Sequence, residues 1–177
     1  GHAVGGAGFD RVVCLVREPS KCSELDAAVP KGKLFKVRYS ADAFDELERV
    51  ASEVRTAIAG TCLDLLIHNA AKIASLDPSK GSLTGGLESI DPEDMVESFK
   101  IHTLGPLFLT RALRTDLADN TATVVAISSV SGLMSHEIGG GSPRAFAYGC
   151  SKAALNMVSV KLSTLLKPRG IPVVSMN

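Results

Sequence analysis

Five short runs of the chain are almost entirely apolar and do not alternate with polar residues. Such runs are typical of strands in a parallel sheet that is covered on both faces. The predicted strands cover residues 12–16, 34–37, 63–67, 122–127 and 171–174.

Three segments between these strands are predicted to be helical. The first, residues 43–59, places apolar side chains three and four positions apart. The second begins at Asp91, whose side chain can cap free backbone N–H groups, and Pro92 suits the first helical position. It continues to Leu113. The third covers residues 145–166 and ends before a proline and a glycine.

The alternation of strands and helices predicts βαβ units, and therefore an α/β fold with a parallel sheet between helices. Residues 75–89 and 134–144 are rich in glycine and are predicted to be loops. No repeat or low-complexity linker divides the sequence, so one domain is predicted over residues 1–177.

The third helix is apolar around nearly its whole circumference, whereas a surface helix normally keeps one polar face. Two interpretations remain open. The helix either lies deep in the layer that covers the sheet, or packs on the sheet and also on a partner subunit. The second interpretation predicts a homodimer or homotetramer.

Composition narrows the class of partner. The 19 basic residues balance 19 acidic ones, and no basic run could follow a phosphate backbone, so neither nucleic acid nor a membrane surface is expected as a partner. The four cysteines form no C-x-x-C pair, which fits a reducing compartment, and the four histidines lack metal-ligand spacing. A cytoplasmic protein without a bound metal is expected.

The candidate chemistry lies around the start of the third helix. Tyr148 and Lys152 are four residues apart, so their side chains share one helical face. A nearby ammonium stabilises a phenolate and so favours a tyrosine as an acid–base catalyst at neutral pH. Ser128 and Ser129 follow a predicted strand, at the edge where open α/β sheets bind ligands.

Four segments in this order resemble the short-chain dehydrogenases/reductases, and especially their C-factor and Sniffer-type carbonyl reductases. The segments read LDLLIHNAA at 63–71, FKIHTLGP at 99–106, VAISS at 125–129 and YGCSKAALN at 148–156. The resemblance implies a Rossmann-type doubly wound parallel sheet. It also implies an oxidoreductase that transfers a hydride between NADP(H) and a carbonyl or alcohol substrate.

Carried over residue by residue, the resemblance implies that Tyr148 is the catalytic acid/base. Lys152 would tune the tyrosine and hold the ribose hydroxyls of the cofactor, so that both residues also contact the cofactor. Ser129 would orient the substrate carbonyl.

Two further segments would contact the cofactor. Asn69, Ala70 and Ala71 match the family's N-A-G turn, with Ala71 in place of its glycine. Arg17 follows a predicted strand, where related proteins often carry an arginine that faces the adenosine 2′-phosphate. That arrangement favours NADPH over NADH, because guanidinium–phosphate pairing is strong. The alternative for Arg17 is an exposed charge at a strand end.

One departure from the family pattern concerns catalysis. His102 occupies the position of the asparagine in the family's catalytic tetrad. A neutral histidine can accept or donate a hydrogen bond, although its ring is larger. His102 could therefore serve in a proton relay or be tolerated, or it could mark impaired catalysis. Impaired catalysis would predict a protein of this fold that binds a nucleotide or a partner without catalysing a reaction.

The other departure concerns the N-terminal part of the fold. The family begins with a strand and a T-G-x-x-x-G-x-G loop that binds the cofactor pyrophosphate. Here only three residues separate Gly8 from the first predicted strand, which is too few for the helix that should follow such a loop. The first strand and the glycine-rich loop are therefore not expected in this sequence, and the domain is expected to be incomplete at both ends. Because the missing strand is central in the Rossmann order, the sheet is expected to be split.

Overall fold

The computed structural model describes residues 8–72, 87–139 and 145–177. These ranges contain five strands: β1 (Val12–Val16), β2 (Leu34–Arg38), β3 (Leu65–His68), β4 (Thr123–Ile127) and β5 (Val173–Met176). All strand pairs are parallel, which confirms the predicted sheet type. The five predicted strands are confirmed, with ends that differ by at most two residues.

The same ranges contain six α-helices. They are α1 (Ser23–Ala28), α2 (Leu47–Ile58), α3 (Pro92–Phe99), α4 (Gly105–Leu113), α5 (Met134–Ile138) and α6 (Phe146–Leu166). The three predicted helices are confirmed, and the side chain of Asp91 caps α3 by accepting a hydrogen bond from the N–H of Glu93 at 2.9 Å. The short helices α1 and α5 were not predicted. The prediction of a loop over residues 134–144 was wrong for the part that forms α5. Residues 140–144 of that loop, and residues 75–86 of the other predicted loop, lie outside the described residues.

The predicted second helix is interrupted by a π-helical turn over Lys100–Leu104, between α3 and α4. Pro106 supplies the physical reason. Proline has no N–H group, so an α-helical hydrogen bond to the carbonyl of His102, four residues earlier, cannot form. Gly105 allows this region to pack closely, because an added Cβ there would lie 2.5 Å from the carbonyl oxygen of Ala41.

The described strands form two separate sheets, with the orders β1-β2 and β3-β4-β5. This confirms the expected division of the sheet. Both sheets nevertheless contribute to one hydrophobic core: Val37 of β2 and Val124 of β4 belong to the same buried cluster as Val50 of α2 and Leu113 of α4. Helix packing therefore joins the two sheets.

Helix α6 buries only one face. Its buried residues are Ala147, Ser151, Lys152, Leu155, Ser159, Leu162 and Leu166. Met157, Val160 and Leu165 of the same helix are apolar and exposed. No helix in the described ranges is long and apolar enough to span a membrane.

Candidate active site

The candidate site residues lie where parallel strands end. Within each parallel sheet the carboxyl ends of the strands lie at one edge, and ligands bind at that edge in open α/β folds. Arg17 follows β1, Asn69 follows β3 and Ser128 follows β4. The topology thus carries the predicted residues to the edge that suits ligand binding.

Tyr148 and Lys152 occupy the first two turns of α6, as their spacing predicts. The ammonium nitrogen of Lys152 lies 5.6 Å from the centre of the Tyr148 ring. It donates a hydrogen bond of 2.6 Å to the carbonyl oxygen of Ile127 at the end of β4. Lys152 is only 2% exposed, and this burial lowers the pKa of its ammonium. A buried cation therefore lies beside the tyrosine.

The two serines after β4 differ in their surroundings. Ser129 is half-buried, and its Oγ accepts a hydrogen bond of 3.2 Å from the N–H of Ser131. This bond uses a lone pair, so the hydroxyl proton of Ser129 stays available for another acceptor. Ser128 is buried, and its Oγ has no hydrogen-bond partner among the described residues. Ser129 is therefore the better placed of the two to donate to a ligand.

His102 lies in the π turn and is completely buried. Its ring packs edge-to-face on Tyr148, with 5.4 Å between the ring centres and an angle of 83° between the ring planes. Its Nε2 accepts a hydrogen bond of 2.8 Å from the backbone N–H of Lys72. Burial, and then the charge of Lys152, lower the pKa of His102 to about 4, so the ring is neutral at physiological pH.

The remaining predicted residues are exposed. Asn69, Ala70 and Ala71 form an exposed segment after β3, which leads directly to the Lys72 amide that contacts His102. Arg17 is exposed at the end of β1, in the other sheet. No hydrogen bond or ion pair in the described ranges joins Arg17 to another predicted site residue. The structure thus brings together the tyrosine, lysine and histidine with the 69–72 segment, and leaves Arg17 apart.

Sequence reasoning missed Ser151 as a candidate residue. Its Oγ lies 2.8 Å from Nδ1 of His102 and donates a hydrogen bond of 2.8 Å to the carbonyl oxygen of Tyr148. A weak signal was present in the sequence, because Ser151 lies three residues after Tyr148 on the same helix. Its partner His102 is 49 positions away, and no local pattern could reveal that contact. The described residues contain no cluster of side chains suited to bind a metal ion.

Comparison with known proteins shows the family of this chain. The sequence profile of the family described as short chain dehydrogenase matches residues 2–177. The chain belongs to this family. The family predicted from the four segments is therefore confirmed, and this short-chain dehydrogenase has the expected Rossmann-like α/β fold with parallel sheets.

Similar proteins add detail. C-signal from Myxococcus xanthus is 35% identical over 116 residues, which cover 65% of this chain and 63% of that protein. The chain thus spans less than two thirds of this curated relative. An NADPH-bound carbonyl reductase from chicken fatty liver matches with a TM-score of 0.80 and 25% identity, over 94% of this chain and 67% of that one. The carbonyl reductase Sniffer of D. melanogaster matches with a TM-score of 0.82 over 96% of this chain and 69% of its own, and its 19% identity supports the fold alone.

Proposed function

We propose that this short-chain dehydrogenase is an NADP(H)-dependent carbonyl reductase, with Tyr148 as its acid/base. The observation that carries the proposal is the buried ammonium of Lys152, 5.6 Å from the ring centre of Tyr148. A buried cation favours the ionised form of a neighbouring acid, because little water screens their attraction. Such an arrangement suits a tyrosine that acts as a general acid or base.

The described residues fit a nicotinamide cofactor on its ribose side. An ammonium group has three N–H donors, and the carbonyl of Ile127 takes one of those of Lys152. The other donors suit the hydroxyls of a ribose. The exposed residues 69–71 precede Lys72, whose backbone N–H bonds to His102 beside Tyr148. When bound, the cofactor supplies or accepts the hydride.

The proton step belongs to the side chains of this chain. Tyr148 donates its hydroxyl proton to the substrate carbonyl oxygen as the carbonyl carbon receives the hydride, and the product is an alcohol. Ser129 donates a hydrogen bond to the same oxygen through the proton that its contact with Ser131 leaves free. In the oxidation direction Tyr148 accepts the proton from the alcohol.

A preference for NADPH is part of the proposal and is supported by Arg17. Its guanidinium is exposed at the carboxyl end of β1, where a phosphate can approach it from solvent. Guanidinium groups pair with phosphates through short, charge-assisted hydrogen bonds. The similar chicken enzyme was solved with NADPH.

We also propose that the chain forms a homo-oligomer with a second copy of itself. The exposed apolar residues of α6 are matched by Val96 and Phe99, exposed on the neighbouring helix α3. A second copy that packs on these two helices would cover their exposed apolar side chains. The proposed location is the cytoplasm, where the free cysteines would stay reduced.

The proposed function is tested by titrating NADPH, and NADH for comparison, into the purified chain while following nicotinamide fluorescence. A panel of carbonyl compounds then tests turnover. Tight NADPH binding with turnover that Tyr148→Phe abolishes supports the proposal. Binding without turnover of any substrate would favour a nucleotide-binding module that has lost catalysis. Failure to bind either nucleotide would overturn the reductase proposal for this chain.

A further inference from the structure

Both ring nitrogens of His102 are engaged in hydrogen bonds. Nε2 faces the backbone N–H of Lys72, and Nδ1 faces Oγ of Ser151, each at 2.8 Å. A backbone amide can only donate, so Nε2 must be the acceptor and must carry no proton. The proton of the neutral ring therefore lies on Nδ1, which donates to Ser151.

The direction of the next hydrogen bond is also determined. The carbonyl oxygen of Tyr148 can only accept, so the single hydroxyl proton of Ser151 must point towards it. The complete chain runs from the Lys72 amide to Nε2, from Nδ1–H to the Ser151 hydroxyl, and from that hydroxyl to the Tyr148 carbonyl. We call these three bonds the His102 chain.

The His102 chain leaves the ring no free position for a proton relay. One ring nitrogen is occupied as an acceptor and the other as a donor, and the residue is 0% exposed. A second proton would have to bind Nε2, where it would displace the Lys72 amide. The ammonium of Lys152 and the burial of the ring both oppose that charge.

The His102 chain joins two segments whose relative position matters for the proposed reaction. One end is the 69–72 segment after β3, and the other is the first turn of α6, which carries Tyr148. The ring of His102 also packs against the ring of Tyr148. We propose that His102 and Ser151 are positioning residues that hold Tyr148 in its catalytic orientation relative to the 69–72 segment. This inference rests on the proposed reductase function.

The test compares Ser151→Ala with a matched control, Ser159→Ala. Ser159 lies two turns further along α6, is also buried, and its Oγ donates to the carbonyl of Leu155 at 2.9 Å. Each variant removes one buried hydroxyl that bonds to a carbonyl of the same helix, but only Ser151 contacts His102. Both variants lose the bond to the helix, and only Ser151→Ala also leaves the Nδ1–H of His102 unpaired. Urea unfolding of both variants measures this difference in stability, and kcat is compared under conditions where both are folded.

We expect Ser151→Ala to lower kcat for carbonyl reduction by about tenfold or more, because small errors in the position of a catalytic group are costly. The dissociation constant for NADPH should change much less, and Ser159→Ala should keep kcat within about twofold of the parent chain. Equal kcat values in the two variants would overturn the inference.

A spectroscopic readout separates this inference from the proposed function. Nitrogen chemical shifts of the His102 ring should show a proton on Nδ1 and none on Nε2 in the parent chain. If the parent chain has no reductase activity, the proposed function fails. The positioning of Tyr148 is then measured from the NMR signals of its amide and ring. These signals should move in Ser151→Ala and stay in place in Ser159→Ala. A proton on Nε2, or unmoved Tyr148 signals, would refute the His102 chain as a positioning device.

Discussion

Acid should destabilise this fold through two buried histidines. His68 is 8% exposed, with Nε2 2.8 Å from Oγ1 of Thr110, and burial lowers its pKa to about 4. The pKa of His102 is lowered to about 4 as well, by burial first and then by the charge of Lys152. In an unfolded chain both imidazoles titrate near pH 6.5.

The sign of the effect follows from proton binding. Between about pH 6.5 and pH 4 the unfolded state binds protons that the folded state does not, so stability falls as the pH falls. Both histidines contribute fully above the unfolded pKa, and the loss is largely complete below the folded pKa. At about pH 5 each histidine costs roughly 2 kcal/mol relative to neutral pH, or about 4 kcal/mol for the pair. A domain with a total stability of about 5–15 kcal/mol would lose a large share of it.

The measurement is urea unfolding followed by circular dichroism at about pH 7 and about pH 5. His68→Gln and His102→Asn should each reduce the difference in unfolding free energy between the two pH values by about 2 kcal/mol, whatever they do to stability at neutral pH. His136→Asn is the control, because His136 is exposed. In the parent chain, NMR titration of the histidine ring protons provides a second measurement that needs no variant.

Two results would refute this reasoning. One is an unchanged pH dependence in both His68→Gln and His102→Asn. The other is a ring titration near pH 6.5 for either buried histidine in the folded chain, because a group with the same pKa in both states cannot link stability to pH.

Further variants test the proposed site and the packing around it. Tyr148→Phe should abolish carbonyl reduction and leave the dissociation constant for NADPH nearly unchanged, as measured by turnover and fluorescence titration; unchanged turnover would contradict its acid/base role. Arg17→Ala should weaken NADPH binding by about tenfold or more without affecting NADH, since a charge-assisted hydrogen bond is worth about 1.5–3 kcal/mol. The control is Arg114→Ala, because Arg114 is exposed just after α4. An equal loss of affinity for NADPH and NADH in Arg17→Ala would refute a 2′-phosphate contact. Gly132→Ala should destabilise the chain by about 1–3 kcal/mol in urea, because the new Cβ would lie 2.8 Å from the backbone of α6; unchanged stability would show that the helix can shift. Val160→Asp should convert a homo-oligomer to a monomer in light scattering, and a parent chain that is already monomeric would refute self-association.

Local sequence patterns predicted the positions of the strands and of the main helices. Continuous apolar runs predicted the parallel strands, because a strand covered on both faces has no polar side. Asp91 and Pro92 marked the start of α3 through hydrogen-bonding rules that act within one turn. The separation of Tyr148 and Lys152 placed both side chains on one helical face for the same local reason. The helices α1 and α5 were missed because five or six residues are too few to show a helical period.

Tertiary structure decided how the candidate site is assembled. The sequence left open whether His102 relays a proton, is merely tolerated or marks lost activity. Its hydrogen-bond partners lie 30 and 49 positions away, on the segment after β3 and on α6. The bond from Lys152 to Ile127 likewise depends on how α6 lies against the end of β4. Such contacts follow from the packing of whole elements on the shared core, whereas sequence patterns report only neighbours along the chain. The sequence by itself therefore determined the strands, the main helices and the family, and only the folded chain determined which atom each side chain of the candidate site contacts.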